Sequence, residues 1–187
     1  MSGRFAGRVA LISGAGSATG IGFATARLLV REGAAVAIAS TTDRIHERVA
    51  DLLGAGAGGQ ASGPVSDRVS GRVRERATGH VGNLVEEGVA ARIVAEVLAA
   101  HGRLDILVNA AGMTSVGEPE SDLAFLDTDA EAWDRVIALN LRTAYSLTHA
   151  ALPALLESAS GGSSWVDSAP VGTSSSAGSS DSRIVFV

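Results

Sequence analysis

"RVALISGAGSATGIGFATARLLVREG" runs from Arg8 to Gly33, and its reading decides the fold. Arg8 to Ser13 is a short apolar run, which predicts a buried strand. Gly14 to Gly22 follows without a spacer and carries glycine at 14, 16, 20 and 22. Phe23 to Gly33 then continues at helical spacing. Ile21, Ala24, Leu28 and Leu29 are the expected inward face, and Gly33 is the stop. A chain that turns this sharply and offers bare backbone to a ligand needs residues without a Cβ. The helix aims its free N–H groups and positive dipole end into the turn, which suits a pyrophosphate. A glycine triplet alone is a weak signal. Between a strand and a helix that open a βαβ unit, it points to dinucleotide binding.

Outward from this stretch, the pattern repeats. Ala34–Ser40 predicts a second strand. Asp43–Leu53 predicts a helix with Ile45, Val49, Leu52 and Leu53 apolar. His80–Leu84 predicts a short third strand. Glu86–His101 predicts a helix with Val89, Ile93, Val94, Val97 and Leu98 inward. "LDILVNAAG" (Leu104–Gly112) is the strongest strand. "TDAE" (Thr128–Glu131) predicts a capping box with Thr128 at the N-cap, opening an apolar helix that reaches about Leu156. Arg183–Val187 predicts a fifth strand. Alternating strands and helices mean βαβ units, hence an α/β fold with helices on both faces of a parallel sheet. Right-handed crossovers limit this to a doubly wound, Rossmann-type sheet in strand order 3-2-1-4-5. One domain is expected. Residues 54–79 and 158–182 break the rhythm, and 18 of the 25 residues in the second stretch are Ser, Gly or Ala. Both predict flexible insertions, because connections in such sheets usually run about 2–6 residues. A shifted reading frame in GC-rich DNA would give the same mixture.

Composition excludes several classes. The 187 residues include no cysteine, which removes disulfides and thiolate sites. No metal site is expected. The four histidines, His46, His80, His101 and His149, show no ligand-like spacing and predict packing or solvated roles. Net charge is −5 with dispersed basic residues, which argues against nucleic acid. Val9–Ile12 is too short an apolar run for a signal peptide or a membrane span, so a cytoplasmic protein is expected. All 15 basic residues are arginine, and Tyr145 is the single tyrosine. The phosphate-binding loop of ATPases, which ends in Gly-Lys-Ser/Thr, is therefore ruled out. There is no G-x-S-x-G elbow of a hydrolase.

The wide spacing Gly16-x-x-x-Gly20-x-Gly22 carries a resemblance. "SGAGSATGIG" resembles the T-G-x-x-x-G-x-G loop of short-chain dehydrogenases/reductases, with Ala18 and Thr19 extra. "LVNAAG" resembles the family's N-N-A-G, with Ala110 in place of the second Asn. "HVGNL" resembles the third-strand end, with Asn83 where an Asp normally touches adenine. Trp133–Leu156 resembles the family's fourth and fifth helices. The resemblance implies cofactor-binding roles for Gly14, Gly16, Ser17, Gly20, Ile21, Gly22, Asn83, Leu84, Asn109, Ala110, Ala111 and Gly112. It also makes Asn140 the match to the asparagine of the family's Asn-Ser-Tyr-Lys catalytic set. The 3-oxoacyl-carrier-protein reductases are the branch it resembles in general character.

The end of the second strand separates cofactors. NAD enzymes usually place an acid there for the ribose 2′-hydroxyl. Here Ser40, Thr41 and Thr42 precede Asp43 and Arg44, and hydroxyls with an arginine suit a 2′-phosphate. NADP is expected, with NAD as the alternative, since Asp43 is also near the ribose. The competing reading makes Thr42 or Asp43 a helix cap and Arg44 a solvated charge.

In the family, a serine follows the fifth strand and Tyr-x-x-x-Lys follows later. Free phenol titrates near 10, so a neighbouring cation must bring it toward working pH. None of these three stands in position here. Tyr145 is followed four residues later by His149, and Ser174–Ser176 precede the fifth strand. The chain is therefore expected to be a C-terminally truncated member. Its family activity would be hydride transfer between NADP(H) and a small carbonyl or alcohol. The parent would be a homo-oligomer through helices around 130–156. The alternative is an inactive nucleotide-binding or subunit-pairing fragment.

Overall fold

Val9–Ser13 forms β1 and is buried along its whole length. The computed structural model describes residues 3–55, 66–69, 72–112, 125–160 and 183–186. After β1 come α1 (Ile21–Arg31), β2 (Ala35–Ser40) and α2 (Arg44–Ala55). Then follow β3 (Ser66–Val69), β4 (Arg72–Glu75), β5 (Ala77–Val81) and α3 (Val89–His101). The chain continues through β6 (Ile106–Asn109), α4 (Ala130–Ile137), α5 (Thr143–Ala159) and β7 (Arg183–Phe186). One sheet holds β5-β2-β1-β6-β7, all parallel. Counted without the β3–β4 pair, this is the expected order 3-2-1-4-5.

The pleat of β1 divides the core. Val9 and Leu11 point to one face, where Leu107 meets Ile93 and Val97 of α3 and Leu147 and Leu155 of α5. Ala10 and Ile12 point to the other, with Val36 and Ile38, against Phe23, Ala26, Leu29, Ile45 and Leu52 of α1 and α2. A strand buried on both faces reads as a near-continuous apolar run, and β1, β2 and β6 do so up to the Ser13, Ser40 and Asn109 that end them.

Four expectations need correction. The buried face of α1 is Gly22, Phe23, Ala26 and Leu29, whereas Ile21 and Leu28 are exposed. The glycine turn fixes the rotation of α1 by bringing Gly22 against backbone; of the expected inward face Leu29 is buried, while Ile21, Ala24 and Leu28 are left outside. Part of the stretch 54–79 is regular: α2 extends through Gly54 to Ala55, β3 and β4 pair antiparallel, and β5 begins at Ala77 rather than at His80. The N-cap of α4 is Asp129, whose carboxylate accepts from the Ala132 amide at 2.7 Å, one residue past the expected Thr128. The single long helix is interrupted by a π-helical turn at Ala138–Arg142. Of 158–182, residues 158 and 159 close α5 and 160 follows it; 161–182 lie outside the described residues.

At the N-terminal edge of the sheet, fully buried Asp105 ties the start of β1 to the segment that leads into β6. It accepts from Arg8 Nη1 at 2.8 Å, from the Val9 amide at 3.0 Å, and from both Nε (2.7 Å) and Nη2 of Arg103. Burial pushes this carboxyl up, but the Arg103 and Arg8 guanidiniums and the Val9 amide outweigh that and hold it below its ordinary range. Asp105→Asn should cost about 2 kcal/mol, the order for hydrogen bonds to a charged group. Because the folded value is depressed, the wild-type advantage should be complete above about pH 4, the unfolded value. It should shrink as pH falls through the lower folded value. Urea unfolding of both proteins across that range checks the sign.

Candidate functional site

The C-terminal edge of the sheet gathers the sequence-predicted residues. Gly14 leaves β1 with φ +69°, and a Cβ there would lie 2.2 Å from the Ala110 carbonyl oxygen. A Cβ on Gly22 would lie 2.7 Å from the Gly14 oxygen, which is why α1 can start this close to β1. A Cβ on Gly16 would lie 2.9 Å from Ser40 Cβ, so the turn rests directly on the end of β2. Only residues without side chains allow these approaches.

The turn holds itself with few bonds. The Ala15 amide donates to Ala39 O at 3.1 Å, and the Gly20 amide donates to Ser17 O at 3.1 Å across the extra Ala18 and Thr19. Ser17 Oγ lies 3.4 Å from Thr19 Oγ1. Gly20 is the N-cap of α1, and no side chain caps that terminus. The first amides of α1 thus face the turn without an internal acceptor. This bare, glycine-lined terminus beside Ser40 fits a pyrophosphate and the adenosine ribose of a dinucleotide.

The end of β2 presents hydroxyls and one guanidinium. Ser40 Oγ donates to Thr42 O at 2.9 Å, and Arg44 Nε donates to Thr42 Oγ1 at 3.4 Å. Thr41, Thr42, Asp43 and Arg44 are exposed at the same strand end. After β5, the Gly82 amide donates to Ser40 O at 2.9 Å, which brings Asn83 and buried Leu84 beside β2. Asn83 Oδ1 accepts from the Val85 amide at 3.2 Å.

The end of β6 is locked to β1 and to α5. Ser13 Oγ accepts from the Ala110 and Ala111 amides at 3.2 and 3.1 Å. Asn109 Nδ2 donates to Thr148 Oγ1 of α5 at 3.0 Å, and its buried Oδ1 has no partner among the described residues. Asn140 sits in the π-helical turn, where Nδ2 donates to Val136 O at 2.9 Å. Its Oδ1 would lie 2.6 Å from a Cβ on Gly112, so the candidate catalytic residue abuts the β6 loop. Tyr145 lies one turn further along and stacks on His149 with ring centroids 5.7 Å apart. Sequence reasoning passed over Ser13 and Thr148. Ser13 was detectable as the hydroxyl residue ahead of Gly14; Thr148 carried no pattern of its own.

The family model described as short chain dehydrogenase matches residues 8–179. The chain belongs to the short-chain dehydrogenase family. Short-chain dehydrogenase reductase 3c of Arabidopsis thaliana is 30% identical over 164 residues, covering 87% of this chain and 54% of the relative. The 3-oxoacyl-(acyl-carrier-protein) reductase FabG of Thermotoga maritima is 32% identical over 158 residues, covering 84% and 54%. A short chain dehydrogenase of Mycobacterium smegmatis superposes with a TM-score of 0.65 at 28% identity, covering 81% of this chain and 54% of that one. The chain thus spans about half the length of the relatives it matches. Members of this family are NAD(P)-dependent oxidoreductases, and the dinucleotide-shaped edge of the sheet agrees with that.

Ser13→Ala should leave two amides of the β6 loop without their acceptor. The expected cost is about 1–3 kcal/mol, the penalty for stranding buried donors. Chemical denaturation of the unliganded chain measures it.

Proposed function

We propose that residues 1–187 form the nucleotide-binding part of a cytoplasmic, NADP(H)-dependent oxidoreductase that interconverts a small carbonyl and its alcohol. The observation that carries this reading is the close packing of Gly16 on Ser40, next to Thr41, Thr42 and Arg44, in the same turn that leads to the α1 terminus with no side-chain cap among the described residues. The cofactor, when bound, supplies or accepts the hydride. Gly14, Gly16, Ser17, Gly20, Ile21 and Gly22 would hold its phosphates. Ser40, Thr41 and Arg44 would take a 2′-phosphate, with Arg44 kept near the strand end by Thr42. Asn83 and Leu84 would line the adenine. Asn109 and the Ala110–Gly112 backbone would line the nicotinamide ribose, with Asn140 beside Gly112 as the member of the catalytic set present. No metal is required. The similarity to the Thermotoga maritima reductase supports a 3-oxoacyl thioester as the substrate class.

The outer face of α4, the π turn and α5 supports pairing of subunits. Trp133, Val136, Leu141, Tyr145 and Leu156 are all exposed there, an apolar strip of the kind that marks association surfaces. A homo-oligomer through this face is part of the proposal. Neither a nucleic-acid nor a membrane partner is included; no described helix is long and apolar enough to cross a membrane.

The family's acid–base step needs a tyrosine whose pKa a lysine lowers, and these 187 residues contain no lysine. The chain by itself should therefore bind NADPH without turning over a carbonyl substrate. Fluorescence titration should give NADPH at least about tenfold tighter binding than NADH, the effect of one charge-assisted contact. Arg44→Asp should reverse the order. Equal affinity for both nucleotides would remove the 2′-phosphate assignment, and measurable 3-oxoacyl reduction would refute the claim of inactivity.

A further inference from the structure

A chain of polar side chains runs from inside the sheet edge to the turn after β5. His101 Nε2 and His80 Nε2 each lie 3.0 Å from Thr78 Oγ1, and both histidines are buried. His80 Nδ1 lies 2.7 Å from Glu96 Oε2. Because a carboxylate only accepts, His80 donates here. Glu96 uses its other oxygen to accept from Arg92 Nη1 at 2.6 Å, and Arg92 Nη2 donates to the Val81 carbonyl at 2.8 Å. The His80 contact, helped by Arg92, holds the Glu96 carboxyl below its ordinary range despite some opposing burial.

An exposed Arg–Glu pair one helical turn apart is weak when it stands alone. This pair differs because both of its outer ends are anchored. Glu96 is tied to a buried histidine, and Arg92 is tied to backbone, so neither side chain is free to choose another rotamer. The anchored backbone is the end of β5. The next residue, Gly82, donates to Ser40 O at 2.9 Å, and a Cβ there would lie 2.9 Å from Arg92 Nη2. The Val81–Gly82 peptide is thus held from α3 by Arg92 and from β2 by Ser40.

We propose that Arg92, fixed by Glu96 and through it by His80, is a positioning residue for the adenosine half of the dinucleotide. It sets the distance between the Gly82–Leu84 turn and the Ser40–Arg44 strand end. The inference rests on the cofactor assignment made above. Arg92 does not itself touch the nucleotide; it acts through the Val81 carbonyl.

The test uses the full 187-residue chain with two probes, NADPH and 2′-phospho-ADP-ribose, titrated calorimetrically beside the unliganded melt. Arg92→Ala should weaken both probes about fivefold, the scale on which residues act through an intermediary. The loss should be the same for each, since the fragment retains the adenosine half. Arg92→Lys should recover only part of it, because one ammonium cannot reproduce a fork that spans two acceptors. Should Arg92→Ala not fold, Glu96→Gln frees Arg92 while keeping the side-chain size, and it should weaken both probes in the same direction. Amide exchange at Gly82 should accelerate in either variant while that of Val36 and Ile38 stays slow. Unchanged dissociation constants in variants that fold, with wild type binding normally, would overturn the inference alone. Failure of wild type to bind either probe would overturn the cofactor assignment, and this inference would fall with it.

Discussion

Gly14 lies so close to the Ala110 carbonyl that no side-chain carbon has room there. Parallel pairing sets Ile12 beside Val108, so β1 and β6 end side by side and their two loops must leave together. The left-handed φ of Gly14 turns one loop away, and the Ser13 hydroxyl holds the two amides of the other. The glycine turn and the Asn109–Gly112 segment therefore form one unit. A residue that widened the gap would move the glycine turn and the Asn109–Gly112 segment at once. The constraint is steric first, because hydrogen bonds of this kind add about 1 kcal/mol each whereas overlap at this distance is forbidden outright.

Buried polar groups divide by edge of the sheet. At the N-terminal edge, Asp105 is saturated by two guanidiniums and an amide, an arrangement that joins two segments and offers nothing to a ligand. At the C-terminal edge, the α1 terminus and Asn109 Oδ1 are left with capacity among the described residues. A helix terminus or buried acceptor in want of a partner carries a desolvation cost unless something fills it. Unfilled capacity thus lies at the C-terminal edge, beside satisfied groups such as the Ser13 hydroxyl, and none is left on Asp105. Arginine serves all of these ties. Arg103 grips Asp105 with two nitrogens, and Arg92 bridges a carboxylate and a carbonyl; both need a planar fork that lysine lacks.

The strand order and the core strands were legible in the sequence because strands covered on both faces read as near-continuous apolar runs. The glycine turn was legible because its steric demand admits one residue type. The rotation of α1 was not. Helical spacing chose Ile21, Ala24, Leu28 and Leu29, of which Leu29 is buried; the close contact of Gly22 with backbone decides which way the helix faces, and Phe23 and Ala26 join Leu29 because of it. The cap of α4 slipped by one residue because Thr128 and Asp129 are both good caps and only geometry chooses between them. The β3–β4 pair was hidden by the glycine-rich stretch that precedes it. The His80–Glu96–Arg92 connection joins residues 16 and 4 apart on two elements, and no local periodicity reports it.

Subunit pairing bears on whether such a chain could ever complete the family's chemistry. The exposed strip on α4 and α5 lies on the same helical segment as Asn140, so a partner seated there would press close to the β6 loop. A second copy of these 187 residues seated on the strip would cover it. It would bring no lysine, because the sequence has none. The cation that lowers a phenol toward working pH must then come from residues outside this stretch, either on a continuation of the chain or on a longer relative. Arginine is no simple replacement: it stays protonated and supplies charge, but its guanidinium is broader than an ammonium and sets a different distance to a phenol. Covering the strip is thus separable from the proton transfer that would make the family's reaction run.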